Sequence, residues 1–143
     1  MKLVIDSNII ISALIKDSTT REIILKSGIE FYHPKISLSN LEKYREEIVQ
    51  KSGINNKEYE NLIGSLFENI IFIEKEDFLD KVEEGKIIIG NIDMEDVSFI
   101  ALALSIDNDG IWSEDKHFKK QDRVKVFTTE ELMKEIEKEN YHS

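Results

Sequence analysis

Acidic residues follow two short apolar segments of the chain, and their position suggests a metal site. Asp6 comes directly after the apolar run 3–5, and Asp115 comes two residues after the segment 111–113. Segments of this kind are typical of strands buried on both faces of a parallel sheet. The carboxyl ends of such strands meet at one edge, where open α/β sheets bind their ligands. No glycine-rich loop follows Asp6, which favours a cation over a phosphate as the ligand.

Two further acids are predicted to lie near this edge. Apolar residues recur at helical spacing between 94 and 106, and Asp96 precedes the apolar Ile100 by four residues. Asp96 therefore belongs to the buried face of that helix, close to its N-terminal end. The fourth acid is expected near the start of a predicted helix at 37–51.

Carboxylates gathered in this way are costly alone and useful with a metal ion. They repel one another, so at least one resists ionisation unless a cation joins them. Mg²⁺ and Mn²⁺ prefer such oxygen ligands, and they can activate a water molecule against a phosphodiester. We therefore expect a Mg²⁺ or Mn²⁺ site with Asp6, Asp96 and Asp115 as ligands.

Each acid also has a structural interpretation. Asp6 and Asp115 could cap the helical segments that follow them. Asp93, with Asp96 three residues on, resembles a capping arrangement, and acids favour a helix N-terminus, so Asp96 could also be a capping residue. For Asp93 and Glu95, capping is the interpretation that we favour. The three histidines, His33, His117 and His142, show no metal-ligand spacing, so no site is assigned to them.

The order of the elements predicts one α/β domain over residues 1–143, in three layers around a mainly parallel sheet of four or five strands. Strands are predicted at 2–6, 29–33, 70–73, 110–113 and 124–127. Helices are predicted at 9–16, 20–27, 37–51, 56–68, 76–85, 94–106 and 129–139.

Composition and net charge argue against several classes of protein and site. The 143 residues include no cysteine, which excludes disulfides and thiolate metal sites, and no apolar run reaches the roughly 18 residues of a membrane span. A cytoplasmic location is the expectation. The net charge of −10 argues against broad nucleic-acid binding. Lys116, Lys119 and Lys120 form a local exception, which we interpret as an RNA contact or as a solvated face.

The chain resembles the PIN domain family, including the ribonuclease toxins of prokaryotic toxin–antitoxin pairs. The resemblance is carried by LVIDSN at 3–8, DMEDVSFIALA at 93–103 and IWSEDKHF at 111–118. It implies a Rossmann-like α/β/α sandwich and a Mg²⁺- or Mn²⁺-dependent site that cleaves RNA. Asp6, Asp96 and Asp115 match the family's acids, while Asn8 and Ser113 match its supporting polar residues.

One position departs from the family. A Glu usually precedes a Leu or Ile near the start of the helix after the second strand, whereas SLSNLEKY at 37–44 has Asn40 there. Glu42 follows two residues later, and at 100° per residue the two side chains lie about equally far from the apolar face of the helix. Either Glu42 is the fourth catalytic acid, or Asn40 supplies a neutral oxygen and the site carries one charge less.

The sequence also bears on alternative functions and on protein partners. The departure at Asn40 and the net charge make a non-catalytic module that binds RNA or a protein an alternative. A phospho-accepting receiver domain is disfavoured because the first strand supplies only Asp6 rather than an acidic pair. The resemblance implies an antitoxin protein partner that offers a cationic side chain to the carboxylates, and homodimers are common among such toxins. The helical pair 37–51 and 56–68 could hold a partner helix, although its apolar residues are more simply core.

Overall fold

The chain forms a five-stranded parallel sheet with helices on both faces. The computed structural model describes residues 1–15, 18–90 and 93–142. Its strands are β1 (Lys2–Ile5), β2 (Glu30–Pro34), β3 (Ile70–Ile73), β4 (Gly110–Trp112) and β5 (Val126–Phe127). Its α-helices are α1 (Ser7–Ile15), α2 (Ser18–Lys26), α3 (Leu38–Lys43), α4 (Arg45–Ser52), α5 (Asn56–Phe67), α6 (Val82–Ile89), α7 (Met94–Ser105) and α8 (Thr129–His142). The three-layer α/β/α fold predicted from the sequence is confirmed.

The strand order creates a crevice beside β1. The sheet runs β3–β2–β1–β4–β5, and every neighbouring pair is parallel. The chain first moves outward from β1 to β2 and β3, then returns to the other side of β1 for β4 and β5. This reversal lies between β1 and β4, and the connections leave an opening at their carboxyl ends.

The central strand is buried on both faces, because side chains alternate along it. Leu3 and Ile5 pack into one apolar core with α1, α2 and α5, whereas Val4 packs into a second core with α7. Each of these three side chains is fully buried. Burial on both sides explains why the run 3–5 is apolar without alternation.

Two predicted helices are divided in the structure. The helix predicted at 37–51 is interrupted at Tyr44, whose N–H donates to the carbonyl of Leu41 three residues back. This tighter bond ends α3 and lets α4 begin at Arg45. The prediction of a helix at 76–85 was wrong over its first half. There, Phe78 is buried between two short 3₁₀ turns. The helix itself is α6, which ends at Ile89.

The other helix and strand boundaries lie close to their predicted positions. The strands lie within two residues of their predicted positions, and the end of the helix predicted at 9–16 falls on Lys16, outside the described residues. In the described part of the chain, every helix is too short or too polar to cross a membrane.

Candidate functional site

A cavity of about 170 Å³ opens at the carboxyl ends of β1 and β4. Three separate segments deliver acids to its wall: the turn after β1, the start of α7 and the turn after β4. The carboxylates that line it are Asp6, Asp93, Glu95, Asp96 and Asp115. The crevice predicted from the ends of two strands is therefore present, and it is strongly acidic.

Asp6 is the most deeply buried acid of this cavity, with 4% of its surface exposed. The Ser113 hydroxyl donates to its Oδ2 at 2.6 Å, and the backbone N–H of Asn8 lies 3.4 Å from its Oδ1. Burial raises the pKa of Asp6 from 3.8 to about 6, and the charges of Asp96 and Glu95 add to the rise. The hydrogen bond from Ser113 opposes it. The hydrogen bonds to Asp6 therefore offset only part of the cost of keeping its carboxylate ionised.

Asp96 lies in the first turn of α7, and its side chain contacts a histidine. His117 Nδ1 lies 3.0 Å from Asp96 Oδ2, and it donates because an ionised carboxylate can only accept. Burial raises the pKa of Asp96, and the charges of Asp93 and Asp115 raise it further, against the effect of His117. His117 is a contact that the sequence did not reveal, since its spacing matches no metal motif.

Asp115 combines a capping role with its place in the cavity. Its Oδ1 accepts the backbone N–H of His117 at 2.9 Å and caps the short 3₁₀ helix Lys116–Lys120. Its own N–H donates to Ser113 Oγ at 3.0 Å. Ser113 thus ties the backbone of Asp115 to the side chain of Asp6, and one hydroxyl sets the relative position of two acids.

Glu95 is a cavity residue that the sequence assigned to capping. Ser7 Oγ donates to its Oε1 at 2.6 Å, and the Asn40 side-chain amide donates to its Oε2. Burial raises the pKa of Glu95, and the charges of Asp93 and Asp96 contribute to the rise. The capping interpretation holds for Asp93, whose Oδ1 accepts the N–H of Glu95 at 2.8 Å.

A buried histidine, His33, lies next to Ser7 of the cavity wall. His33 is fully buried in β2, and its Nδ1 lies 2.8 Å from the carbonyl oxygen of Ile5. Because that oxygen can only accept, Nδ1 carries the proton and the neutral ring leaves Nε2 as an acceptor. Burial lowers the pKa of His33 to about 4, so the ring is neutral at ordinary pH. Nε2 lies 3.4 Å from Ser7 Oγ.

The structure places Asn40 and Glu42 differently. Asn40 lines the cavity, whereas Glu42 is not among the residues that do so. The side chain of Glu42 is 65% exposed and lies 3.5 Å from Arg45. The interruption of the helix at Tyr44 does not turn Glu42 inward, so its predicted role as the fourth acid has no support in the geometry.

The predicted RNA-binding lysines lie just beyond Asp115. Lys116, Lys119 and Lys120 are all exposed in the 3₁₀ helix that Asp115 caps. Lys119 forms an ion pair with Glu131 of α8. Lys116 and Lys120 form no ion pair with any described residue, so their charges are more accessible to a phosphate than the charge of Lys119.

The residues of the cavity suit a divalent cation in type. All the charged donors are carboxylates, which hard cations prefer, and a cation among them would supply the opposite charge that lowers their pKa values. In the part of the chain that the structure describes, no three His, Asp or Glu side chains already have the spacing of a metal site. Protein donors hold the carboxylates instead: Ser113 on Asp6, His117 on Asp96, and Ser7 on Glu95. The donor set fits, and its side chains would turn to coordinate.

Comparison with known proteins agrees with this arrangement. A family model described as a PIN domain matches residues 4–137, which is nearly the whole chain. The chain belongs to the PIN domain family. Comparison with curated proteins gave no match. PIN domains are generally nucleases that use divalent metals, and the acidic cavity of this PIN domain lies on the sheet edge where the sequence predicted it.

Proposed function

We propose that this PIN domain is a metal-dependent endoribonuclease that hydrolyses RNA phosphodiester bonds. The observation that carries the proposal is the convergence of three distant segments on one acidic cavity, in a family whose members are generally nucleases. Asp6, Asp96 and Asp115 are the proposed ligands of Mg²⁺ or Mn²⁺. When bound, such an ion supplies Lewis-acid stabilisation of phosphate charge and eases deprotonation of a water.

The residues around the ligands have distinct proposed tasks. Ser113 donates to Oδ2 of Asp6, and the backbone N–H of Asn8 lies near Oδ1, so both contacts limit how that carboxylate can turn. Asn8 lines the cavity and offers an amide to a ligand or a water. Lys116 and Lys120 are the residues proposed to bind the phosphates that flank the scissile bond. In-line hydrolysis would leave a 3′-hydroxyl and a 5′-phosphate.

The direct test is cleavage of single-stranded RNA in Mn²⁺ or Mg²⁺ by the wild type and by Asp6→Asn. We expect activity in the wild type and a loss of at least a hundredfold in the variant, because one proposed ligand loses its charge. Glu42→Gln is the matched control, since it removes an exposed carboxylate outside the cavity. Equal cleavage by the wild type and Asp6→Asn would mean that the activity comes from another protein.

A specific observation favours a second candidate, a PIN module that binds RNA or a protein without cleaving. Asn40 stands where the family usually has an acid, and the described carboxylates are not spaced as a preformed metal site. Calorimetric titration with Mn²⁺ separates the two candidates. Binding at micromolar to millimolar concentration that is lost in Asp96→Asn supports the nuclease, and no binding in the wild type supports the module.

The toxin role is the finer part of the proposal. An acidic cavity attracts the guanidinium of a partner as readily as a metal ion, so an antitoxin could inhibit by placing an arginine among these carboxylates. Expression of the protein alone should then arrest growth, and co-expression of a short neighbouring reading frame should restore it. Growth unaffected by the active enzyme would argue for a nuclease outside a toxin–antitoxin pair.

A further inference from the structure

Glu95 is a cavity carboxylate to which the proposed ligand set gives no task. It follows the N-terminal cap of α7 and precedes Asp96, so the same turn of helix presents both acids to the cavity. It is partly buried, and no ion pair to Glu95 exists among the described residues. A partly buried carboxylate beside other acids is costly to keep ionised. This cost suggests that Glu95 has a role at the cavity.

Two neutral donors hold Glu95 in place. The Ser7 hydroxyl donates to Oε1 at 2.6 Å, and the Asn40 amide donates to Oε2. Both donors line the cavity, so they fix the carboxylate at its wall without neutralising its charge. The identity of residue 40 matters here, because an acid at that position would place a second carboxylate against Glu95 and repel it. Asn40 and Glu95 are therefore complementary.

The Ser7 hydroxyl has a second acceptor, which makes the arrangement reversible. His33 Nε2 lies 3.4 Å from Ser7 Oγ, and it lacks a proton because Nδ1 donates to Ile5. If Glu95 turns away, Ser7 can rotate its hydroxyl toward His33 instead of remaining unsatisfied. A stranded buried donor would cost about 1–3 kcal/mol, and this rotation avoids that cost. Glu95 can therefore move into the cavity without penalty from Ser7.

We propose that Glu95 is the fourth carboxylate ligand of the divalent cation, replacing the acid that is missing at Asn40. Ser7 and Asn40 are positioning residues that hold the carboxylate at the cavity wall. The inference rests on the proposed metal-dependent function and deepens it. The fourth acid of this PIN domain would then lie on α7, where it accepts a hydrogen bond from Asn40 of α3.

The test is calorimetric titration of the full chain with Mn²⁺. We expect Glu95→Gln to lower the affinity at least tenfold, because the amide keeps the shape and one of the two acceptor oxygens but loses the charge. Glu42→Gln should bind within twofold of the wild type. Equal affinity in Glu95→Gln and Glu42→Gln would overturn the role of Glu95 and leave the metal-dependent function standing. A wild type that binds no Mn²⁺ would overturn both.

A swapped pair separates a ligand role from a structural one. Asn40→Asp combined with Glu95→Gln returns a carboxylate to position 40 and reverses the direction of the same hydrogen bond. We expect this double variant to bind Mn²⁺ several-fold more tightly than Glu95→Gln alone, while thermal unfolding confirms that both are folded. A double variant that binds no better than the single one would contradict the proposal.

Discussion

The buried carboxyl of Asp6 links folding to pH. Its pKa is raised to about 6 from an ordinary value of 3.8 by burial and by neighbouring negative charge. Between these two values the folded chain binds more protons than the unfolded chain at this residue. The free energy of unfolding therefore falls as pH rises from about 4 to 6 and stays low above that range. A difference of about 2 between the folded and unfolded pKa corresponds to a change in the free energy of unfolding on the order of 3 kcal/mol.

Asp6→Asn should consequently stabilise the protein at neutral pH. The amide can still accept from Ser113, and the repulsion with Asp96 and Glu95 is removed. We expect the free energy of unfolding at pH 7.5 to rise by about 1–3 kcal/mol, and the two proteins to be equal near pH 4. Urea denaturation at both pH values measures this. A variant less stable than the wild type at pH 7.5 would contradict the electrostatic account.

His33 changes the pH dependence of the free energy of unfolding in the opposite direction. Burial lowers its pKa from 6.5 to about 4, so the unfolded chain binds the proton first as pH falls. Stability from His33 is therefore lost between about pH 6.5 and 4, where Asp6 gains it. The two effects offset each other in the wild type alone. The difference between wild type and Asp6→Asn at each pH removes the contribution of His33.

Individual site residues differed in how well the sequence revealed them. The acids Asp6 and Asp115 could be placed because strand ends of a parallel sheet converge at one edge, and the structure does bring them to one cavity. Glu95 could not, because capping explains an acid at a helix start equally well. The choice between Asn40 and Glu42 depended on the rotation of α3, which periodicity alone does not define.

The pairing of β4 with β5 depends on a glycine. Gly110 opens β4 with φ +143°, a conformation that side chains rarely adopt. A Cβ there would lie 2.5 Å from the carbonyl oxygen of Lys125, which accepts the N–H of Ile111 at 2.9 Å. The side chain of an alanine would therefore push β5 away at the start of the ladder.

Gly110→Ala should destabilise the protein by about 2–4 kcal/mol through this clash and the strained backbone. Gly64→Ala is the matched control, since Gly64 is exposed inside α5 and has nothing within 4 Å of an added Cβ. Alanine favours a helix over glycine, so the control should gain about 0.5–1 kcal/mol. Thermal or urea unfolding of both variants checks the opposite signs. Equal stabilities for the two would show that the space around Gly110 is unimportant.

At the level of elements, apolar runs were better guides than helical patterns. The strands were placed closely because two-sided burial demands uninterrupted apolar residues, as in residues 3–5. Helices α3 and α4 were predicted as one, because a bend at Tyr44 leaves the apolar periodicity intact on both sides. The 3₁₀ turns around Phe78 have no sequence signal of their own, since burial of that ring determines the backbone.

The whole molecule carries a net charge of −10, so the proposed RNA substrate would have to bind against the overall field. Lys116 and Lys120 are exposed beside the acidic cavity and are the proposed local attraction. We expect the double variant Lys116→Gln/Lys120→Gln to weaken binding of single-stranded RNA severalfold. The salt dependence should fall as well, by about 0.7 in log–log slope for each lost phosphate contact. Filter binding in the Asp6→Asn background measures both without cleavage.

The control for this measurement is Lys51→Gln, which removes one cation at the end of α4, where Lys51 pairs with Glu47. It changes the net charge in the same direction as the substitution of Lys116 or of Lys120 and should leave the salt slope unchanged. An equal loss of affinity per lysine at both places would show that RNA responds only to total charge and that the cluster is no binding site.

The hydrogen bond from Ser113 to Asp6 joins residues 107 apart in sequence, and the ladder between β1 and β4 closes the same long loop. Pairing over such a separation forms slowly, because the chain must be confined before the contact contributes any free energy. During translation β1 leaves the ribosome first and has no β4 beside it until residues 110–112 exist. Asp6 is then exposed to water, unconfined and apart from Asp96 and Asp115. A nascent chain that has not reached residue 115 therefore has no complete cavity, so the proposed RNA cleavage could not act on the messenger that encodes it until that point.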